Sequence, residues 1–177
     1  MIDTNYPIEA LDYLLDEKCL SERYYPLIEY KNQLITKSRK LGCKNKNDIA
    51  KLSNSDFLKF GLQDEKMIKL LRRFLTIYDP NPQKFKEIEK LNLEAKQYRA
   101  FKELYYLPGI KQTRANLYYC SGYKTIKAIA KANVEDILKN TALAISTNKL
   151  SCIVPLTKEV KTHIAVAKAF TQKSNIK

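Results

Sequence analysis

LYYLPGIKQTRANLYYCSGYKTIKAIAKANVEDILK, residues Leu104–Lys139, decides the reading of this 177-residue chain. Pro108-Gly109 lies between two apolar segments of helical period, so it reads as a tight turn joining two helices. Gly122 ends the second of them. Glycine accepts the positive φ at which a helix stops. Thr125 and Asn133 then stand where side-chain caps of two short helices belong. Ile126, Ile129 and Ala130 fall on the first short helix, and Ile137 and Leu138 on the second. The order is helix, hairpin, helix, glycine stop and two capped helices.

The same pattern occurs earlier. GCKNKNDIAKLSNSDFLK, residues 42–59, aligns without gaps on GYKTIKAIAKANVEDILK, residues 122–139, and eight of the eighteen positions are identical. Tyr24-Tyr25 precedes Gly42 much as Tyr105-Tyr106 precedes Gly122. A duplication with a period near eighty residues is a repeated structural unit. The copies differ at the hairpin. Where the second reads LPGIK, the first reads LIEYK, Leu27–Lys31, with no glycine and with Glu29 in place to repel an anion.

Outside the repeat, periodicity predicts further helices. Ile8, Leu11, Leu14 and Leu15 share a face over residues 7–19. Helix continues from Tyr24 to Leu41, with a break near Pro26. Met67, Leu70, Leu71, Phe74 and Tyr78 form a stripe over 63–78. Asn81 and Pro82 open a long helix to Tyr106, in which Phe85, Ile88, Ala95, Tyr98, Phe101 and Tyr105 keep period. After Leu138 the pattern is irregular through Ser146–Lys149, and Lys149–Pro155 is short and extended. Thr157 caps a last helix facing inward through Val160, Ile164, Ala167 and Phe170, and the tail from Gln172 frays. With 4 Gly and 6 Pro the composition suits an all-α chain, and 45% apolar residues suffice for a core. The expected organisation is two tandem helical units, residues 1–80 and 81–177, joined by the long helix.

The formal net charge is +13 and uneven. Two basic and seven acidic residues give −5 over 1–30; twelve and four give +8 over 31–78; fourteen and four give +10 over 99–177. Such an excess fits a polyanion-binding surface or a lysine-rich solvated one. No apolar run approaches 18 residues, so no membrane span is expected. Cys19, Cys43, Cys120 and Cys152 are too scattered for a metal cluster. They read as buried small apolar side chains of a reduced, cytoplasmic protein.

On Leu107, Gly109, Ile110 and Ala115 the stretch resembles a helix-hairpin-helix (SAM-like) element, with Lys111 where a second hairpin glycine is usual. Together with the Gly-stop segments and KLSCIVP, the chain resembles an uncharacterised bacterial family of tandem helix-hairpin-helix-like units (domain of unknown function, number 4332). The resemblance implies an all-α fold of two such units. In hairpin elements of this kind, backbone N–H groups and the following helix start hold a nucleic-acid phosphate. That implies an anion site at Gly109, Ile110 and Lys111, with Lys111, Gln112 and Arg114 as side-chain partners. Lys124 and Lys127 extend it if they face the same way. A helix N-terminus supplies the same physics without any family.

Catalytic chemistry is not indicated. His163 is the single histidine and reads as a surface or half-buried residue. No zinc ligand set, Walker loop or GxGxxG is present, so neither metal nor cofactor is expected. Asp48, Asp56, Glu135 and Asp136 fall in first turns, where carboxylates favour the helix dipole. Of each tyrosine pair, one ring points to the core and one to the rim, because adjacent helical residues diverge by about 100°. Two functions remain: sequence-nonspecific binding of nucleic acid, DNA first, through the hairpin and basic surface, and a protein-protein interaction adaptor in which the hairpin is purely structural.

Overall fold

The computed structural model describes residues 2–62 and 64–172. Gln63, where the 63–78 stripe begins, and residues 173–177 of the expected fraying tail lie outside the described residues. The described chain is all-α: eleven α-helices and two 3₁₀ segments, with no strand and one isolated bridge between Pro7 and Asn45. None of its helices is long and apolar enough to cross a membrane.

A 3₁₀ turn, Ile8–Ala10, leads into α1 (Leu11–Leu14). Ile8, Leu11, Leu14 and Leu15 are all buried, although the helix is shorter than the 7–19 periodicity suggests. A second 3₁₀ segment, Glu22–Tyr30, carries Pro26 and passes directly into α2 (Lys31–Lys40). Pro26 has no N–H to give to an α-helical ladder, and this segment is wound instead in the tighter i→i+3 turns of a 3₁₀ helix. The first copy thus has no hairpin turn before α2.

The repeated segments carry the same backbone devices. Gly42 and Gly122 both have positive φ, 78° and 89°. In the first copy the Cys43 N–H bonds the Ser38 carbonyl at 3.0 Å, and in the second the Tyr123 N–H bonds Tyr118 at 2.9 Å. Asn45 caps α3 (Lys46–Ala50), and Thr125 caps α9 (Ile126–Lys131). Ser53 caps α4 (Asn54–Lys59), and Asn133 caps α10 (Val134–Asn148). These caps satisfy amide donors that a helix start leaves open. Ile49 and Ile129 are both fully buried. The second copy departs after Leu138: α10 continues to Asn148 and closes at Lys149, which takes a left-handed φ of 49°. The irregularity expected from Leu138 through Ser146–Lys149 is instead helix as far as Asn148.

Between the copies run α5 (Glu65–Thr76), α6 (Pro82–Glu89) and α7 (Ala95–Leu104). The expected helix from Pro82 to Tyr106 is therefore two helices. The Leu91 N–H bonds the Ile88 carbonyl and the Leu93 N–H bonds Leu91, which closes α6 in tight turns. The chain then folds back, and Phe85 packs on Tyr106 with centroids 4.9 Å apart. In a continuous helix these residues would stand about 31 Å apart. Burial of Ile88 and the Phe85–Tyr106 contact override a local pattern that runs straight through.

After α8 (Gln112–Cys120) and the α9–α10 pair, α11 (Thr157–Thr171) closes the molecule. Its N-cap is Leu156; Thr157, expected to cap it, is its first helical residue. It packs most extensively on α9 and also touches α1, so one apolar core runs from Tyr6 to Phe170. The Thr162 hydroxyl donates to the Cys19 carbonyl at 2.6 Å across that junction. The tyrosine pairs divide as their spacing requires: Tyr24, Tyr105 and Tyr118 are buried, and Tyr25, Tyr106 and Tyr119 half-buried. Cys19 and Cys43 are buried, but Cys120 is exposed and Cys152 half-buried, so the expectation holds for only two of the four.

Candidate functional site

The hairpin begins where α7 tightens at its end. The Leu107 N–H bonds the Leu104 carbonyl at 3.0 Å, and Pro108 has no donor to continue. Gly109 turns the chain at φ +71°. A Cβ there would meet open space, so the backbone angle, not crowding, requires glycine. Leu107 and Ile110 are fully buried on either side and pin the turn to the core. Lys111 is extended and exposed, and α8 starts behind it.

That start is open. Lys111 makes no side-chain cap bond, and no acidic residue lies in the first turn of α8. Pro108 and Gly109 form a hydrogen-bonded turn that takes up the Ile110 amide, while the amides of Gly109, Lys111, Gln112 and Thr113 have no acceptor among the described residues. By contrast, α3, α4, α5, α6, α9 and α10 all have capping side chains. Orphan N–H groups at a helix start favour an anion.

A lysine from another helix lies beside the turn. Lys84 of α6 donates to the carbonyls of Tyr105 at 3.0 Å and Leu107 at 3.2 Å. Burial lowers its pKa, Glu87 works the other way, and Lys111 is close enough to lower it further. Two ammonium groups thus flank the hairpin. Nothing in the local sequence singles out Lys84 from Lys86 or Lys90. It reaches the turn because α6 folds back on α7.

Behind the turn, His163 is 2% exposed, not the surface or half-buried residue its polar neighbours suggest. Its Nε2 lies 2.9 Å from the Pro108 carbonyl, which can only accept, so Nε2 carries the proton. Nδ1 then accepts from the Tyr118 hydroxyl at 2.7 Å. Burial pushes the His163 pKa down to about 4 against its bond to Pro108; Glu159 raises it, and Arg114 and Lys84 lower it. The neutral ring is a strut between α11, α8 and the hairpin.

The other expected site residues separate. Arg114 is engaged: its guanidinium meets Glu159 at 2.8 and 3.1 Å and donates to the Ile153 carbonyl at 3.0 Å. It ties α8 to α11 and the loop before it. Arg114→Met is expected to cost about 1–2 kcal/mol, since bonds to charged groups are strong but this pair is partly solvated. A urea midpoint equal to wild type would show that the bridge holds nothing. Lys124 lies over the Tyr119 ring, 4.8 Å from its centroid, beyond the far end of α8. That places it about 13 Å along the helix axis from the hairpin. Lys127 lines a different surface, a cleft of about 400 Å³ with Tyr13, Lys131 and Lys168 between α9, α11 and α1. The structure brings together Gly109, Ile110, Lys111 and Gln112, adds Lys84, and leaves Arg114, Lys124 and Lys127 to other contacts.

No group of three or more potential metal ligands occurs among the described residues. Comparison with protein-family models, with curated proteins and with solved structures finds no match for this chain.

Proposed function

We propose that this chain is a non-catalytic nucleic-acid-binding protein that holds a backbone phosphate at the Pro108–Gln112 hairpin. The observation that carries this reading is the uncapped start of α8, four free amides flanked by Lys84 and Lys111. Contacts of this type position a strand without reading its sequence. The formal charge of +13 favours a polyanion at long range.

The test is fluorescence anisotropy with a labelled DNA duplex at two salt concentrations. Non-specific affinity of about 10⁻⁴–10⁻⁶ M at physiological salt is expected, weakening as salt rises. Lys111→Glu should weaken binding at least tenfold without changing the fold, since Lys111 is exposed and uncapped. Lys51→Glu, an equal charge change at an exposed position in the first copy, is the control. Lys31 is unsuitable for that purpose because it pairs with Asp12 at 3.2 Å. If Lys51→Glu weakens binding as much as Lys111→Glu, attraction is diffuse and the hairpin has no special role.

A protein-docking adaptor is the second reading. It is favoured by Ile153, Val154 and Leu156, which are 75%, 37% and 71% exposed on the loop that Arg114 grips. Binding through that loop would depend little on salt and would be lost in Ile153→Ser with Leu156→Ser.

A further inference from the structure

A basic groove runs between α1, α9 and α11, and no residue of the hairpin lines it. One part, a cleft of about 400 Å³, is lined by Lys127 and Lys131 of α9, Lys168 of α11 and Tyr13 of α1, with no carboxylate. A second cleft of about 230 Å³ shares Tyr13 and Lys168 with the first and adds Lys18 and Lys161. Along α11, the buried Ile164 and Ala165 lie between Lys161 and Lys168 and line the groove with them. Its one acid, Asp16, accepts from the Lys18 amide at 2.8 Å. We infer that this groove is a second seat for nucleic-acid backbone, in which these lysines meet successive phosphates.

None of the five lysines has an ion-pair partner among the described residues, whereas Lys31, Lys46, Lys59 and Lys69 each meet a carboxylate. Lys131 and Lys168 stand in the last turns of their helices, where the dipole favours a cation. Lys127 has no such support. It lies in the first turn of α9, at the positive end of the dipole, and one turn before Lys131, a spacing at which like charges repel. Lys168 brings a third ammonium to the same cleft. An anion in the groove relieves this repulsion. Lysine meets phosphate as a point charge on a flexible stem and demands no fixed geometry. Lys127 and Lys131 are about 6 Å apart along α9, and Lys161 and Lys168 about 10 Å apart along α11. The charges thus form a track, which suits a strand of regularly spaced phosphates better than one small anion. The first copy lacks the pair on α9: Asn47 aligns with Lys127, and its amide is bound by Asn5 at 3.0 Å. This second seat rests on the nucleic-acid reading of the chain but not on the hairpin's part in it.

Anisotropy with the labelled DNA duplex, over a salt series from about 50 to 200 mM, tests this. The groove variant is Lys127→Gln with Lys131→Gln and Lys168→Gln. Its fold should hold, because all three side chains are exposed and glutamine is a good helix former, and an unchanged urea midpoint checks that. It should bind about tenfold or more weakly, and the slope of log affinity against log salt should become shallower by about 2–3, close to one phosphate contact per lysine. Arginine at the same three positions should bind like wild type. Lys40→Gln with Lys51→Gln and Lys66→Gln, an equal loss of charge at exposed positions, should leave the slope within about 1 of wild type. An unchanged slope in the groove variant overturns the second seat, and so does an equal change in the control. If labelled poly-L-glutamate binds wild type as tightly as the duplex and loses as much in the groove variant, the occupant is an acidic protein segment and the nucleic-acid seat falls. If Lys111→Glu binds like wild type while the groove variant is weak, the hairpin reading falls and the groove stands. No binding of the duplex by wild type overturns both.

Discussion

Ile129→Ala is expected to lower the stability of the chain by about 2–5 kcal/mol, and Ile49→Ala by a similar amount. Both side chains have no exposed surface. Each lies four residues after a capping side chain, Thr125 or Asn45, on a short helix pressed into the core. Truncation removes buried methyl groups and leaves a cavity that the caps and the following helix prevent from collapsing. Leu58→Ala is the contrast. Leu58 is another identity between the copies, yet it is 51% exposed, and its loss should stay within about 0.5 kcal/mol. Urea unfolding of the three variants checks the ranking. Midpoints for Ile49→Ala and Ile129→Ala no lower than for Leu58→Ala would refute the equivalence of the two cores.

Acidification should destabilise the chain through His163. Its pKa falls from the ordinary 6.5 to about 4 in the folded protein, chiefly by burial. Between those values the unfolded chain binds a proton that the folded chain refuses. Stability is therefore full above about pH 6.5 and declines as pH falls towards 4, by up to about 1.4 kcal/mol per pH unit. The total is about 3 kcal/mol. A protonated ring would bury a cation, and Nδ1 could no longer accept from Tyr118. His163→Gln removes the titration, although it weakens the strut at every pH. The difference in unfolding free energy between wild type and His163→Gln, measured at pH 7, 5.5 and 4.5, cancels groups common to both. It should shrink as pH falls. A constant difference would mean that His163 takes up its proton in the folded state.

The hairpin was legible in the sequence because its signals are local. Pro108 cannot donate, Gly109 accepts a positive φ, and Leu107 and Ile110 bracket the turn with apolar side chains. What the site contains was less legible. Arg114 reads as a free cation beside a turn until Glu159, forty-five positions on, comes within 2.8 Å. Lys124 and Lys127 follow the hairpin closely in sequence, but α8 and the Gly122 turn carry them to other faces. Lys84 carries no distinguishing neighbour, whereas His163 stands three residues after Val160 and four before Ala167 on the inward face of the last helix, a signal masked by Lys161 and Thr162 beside it.

By itself, the sequence determined the helical class, the eighty-residue duplication, the caps at Thr125 and Asn133, and the loss of the turn in the first copy. Each of these depends on a side chain and the backbone within about four residues of it, so spacing suffices to read it. The tertiary structure alone decided that the helix expected from Pro82 to Tyr106 breaks and doubles back. No glycine or proline marks that break. Burial of Ile88 and the packing of Phe85 on Tyr106 outweigh the helical bonds lost between α6 and α7. The same fold-back brings the Lys84 ammonium to the carbonyls of Tyr105 and Leu107, and so beside the open start of α8. Local propensity sets which segments are helical; long-range burial sets where they turn and which charges meet.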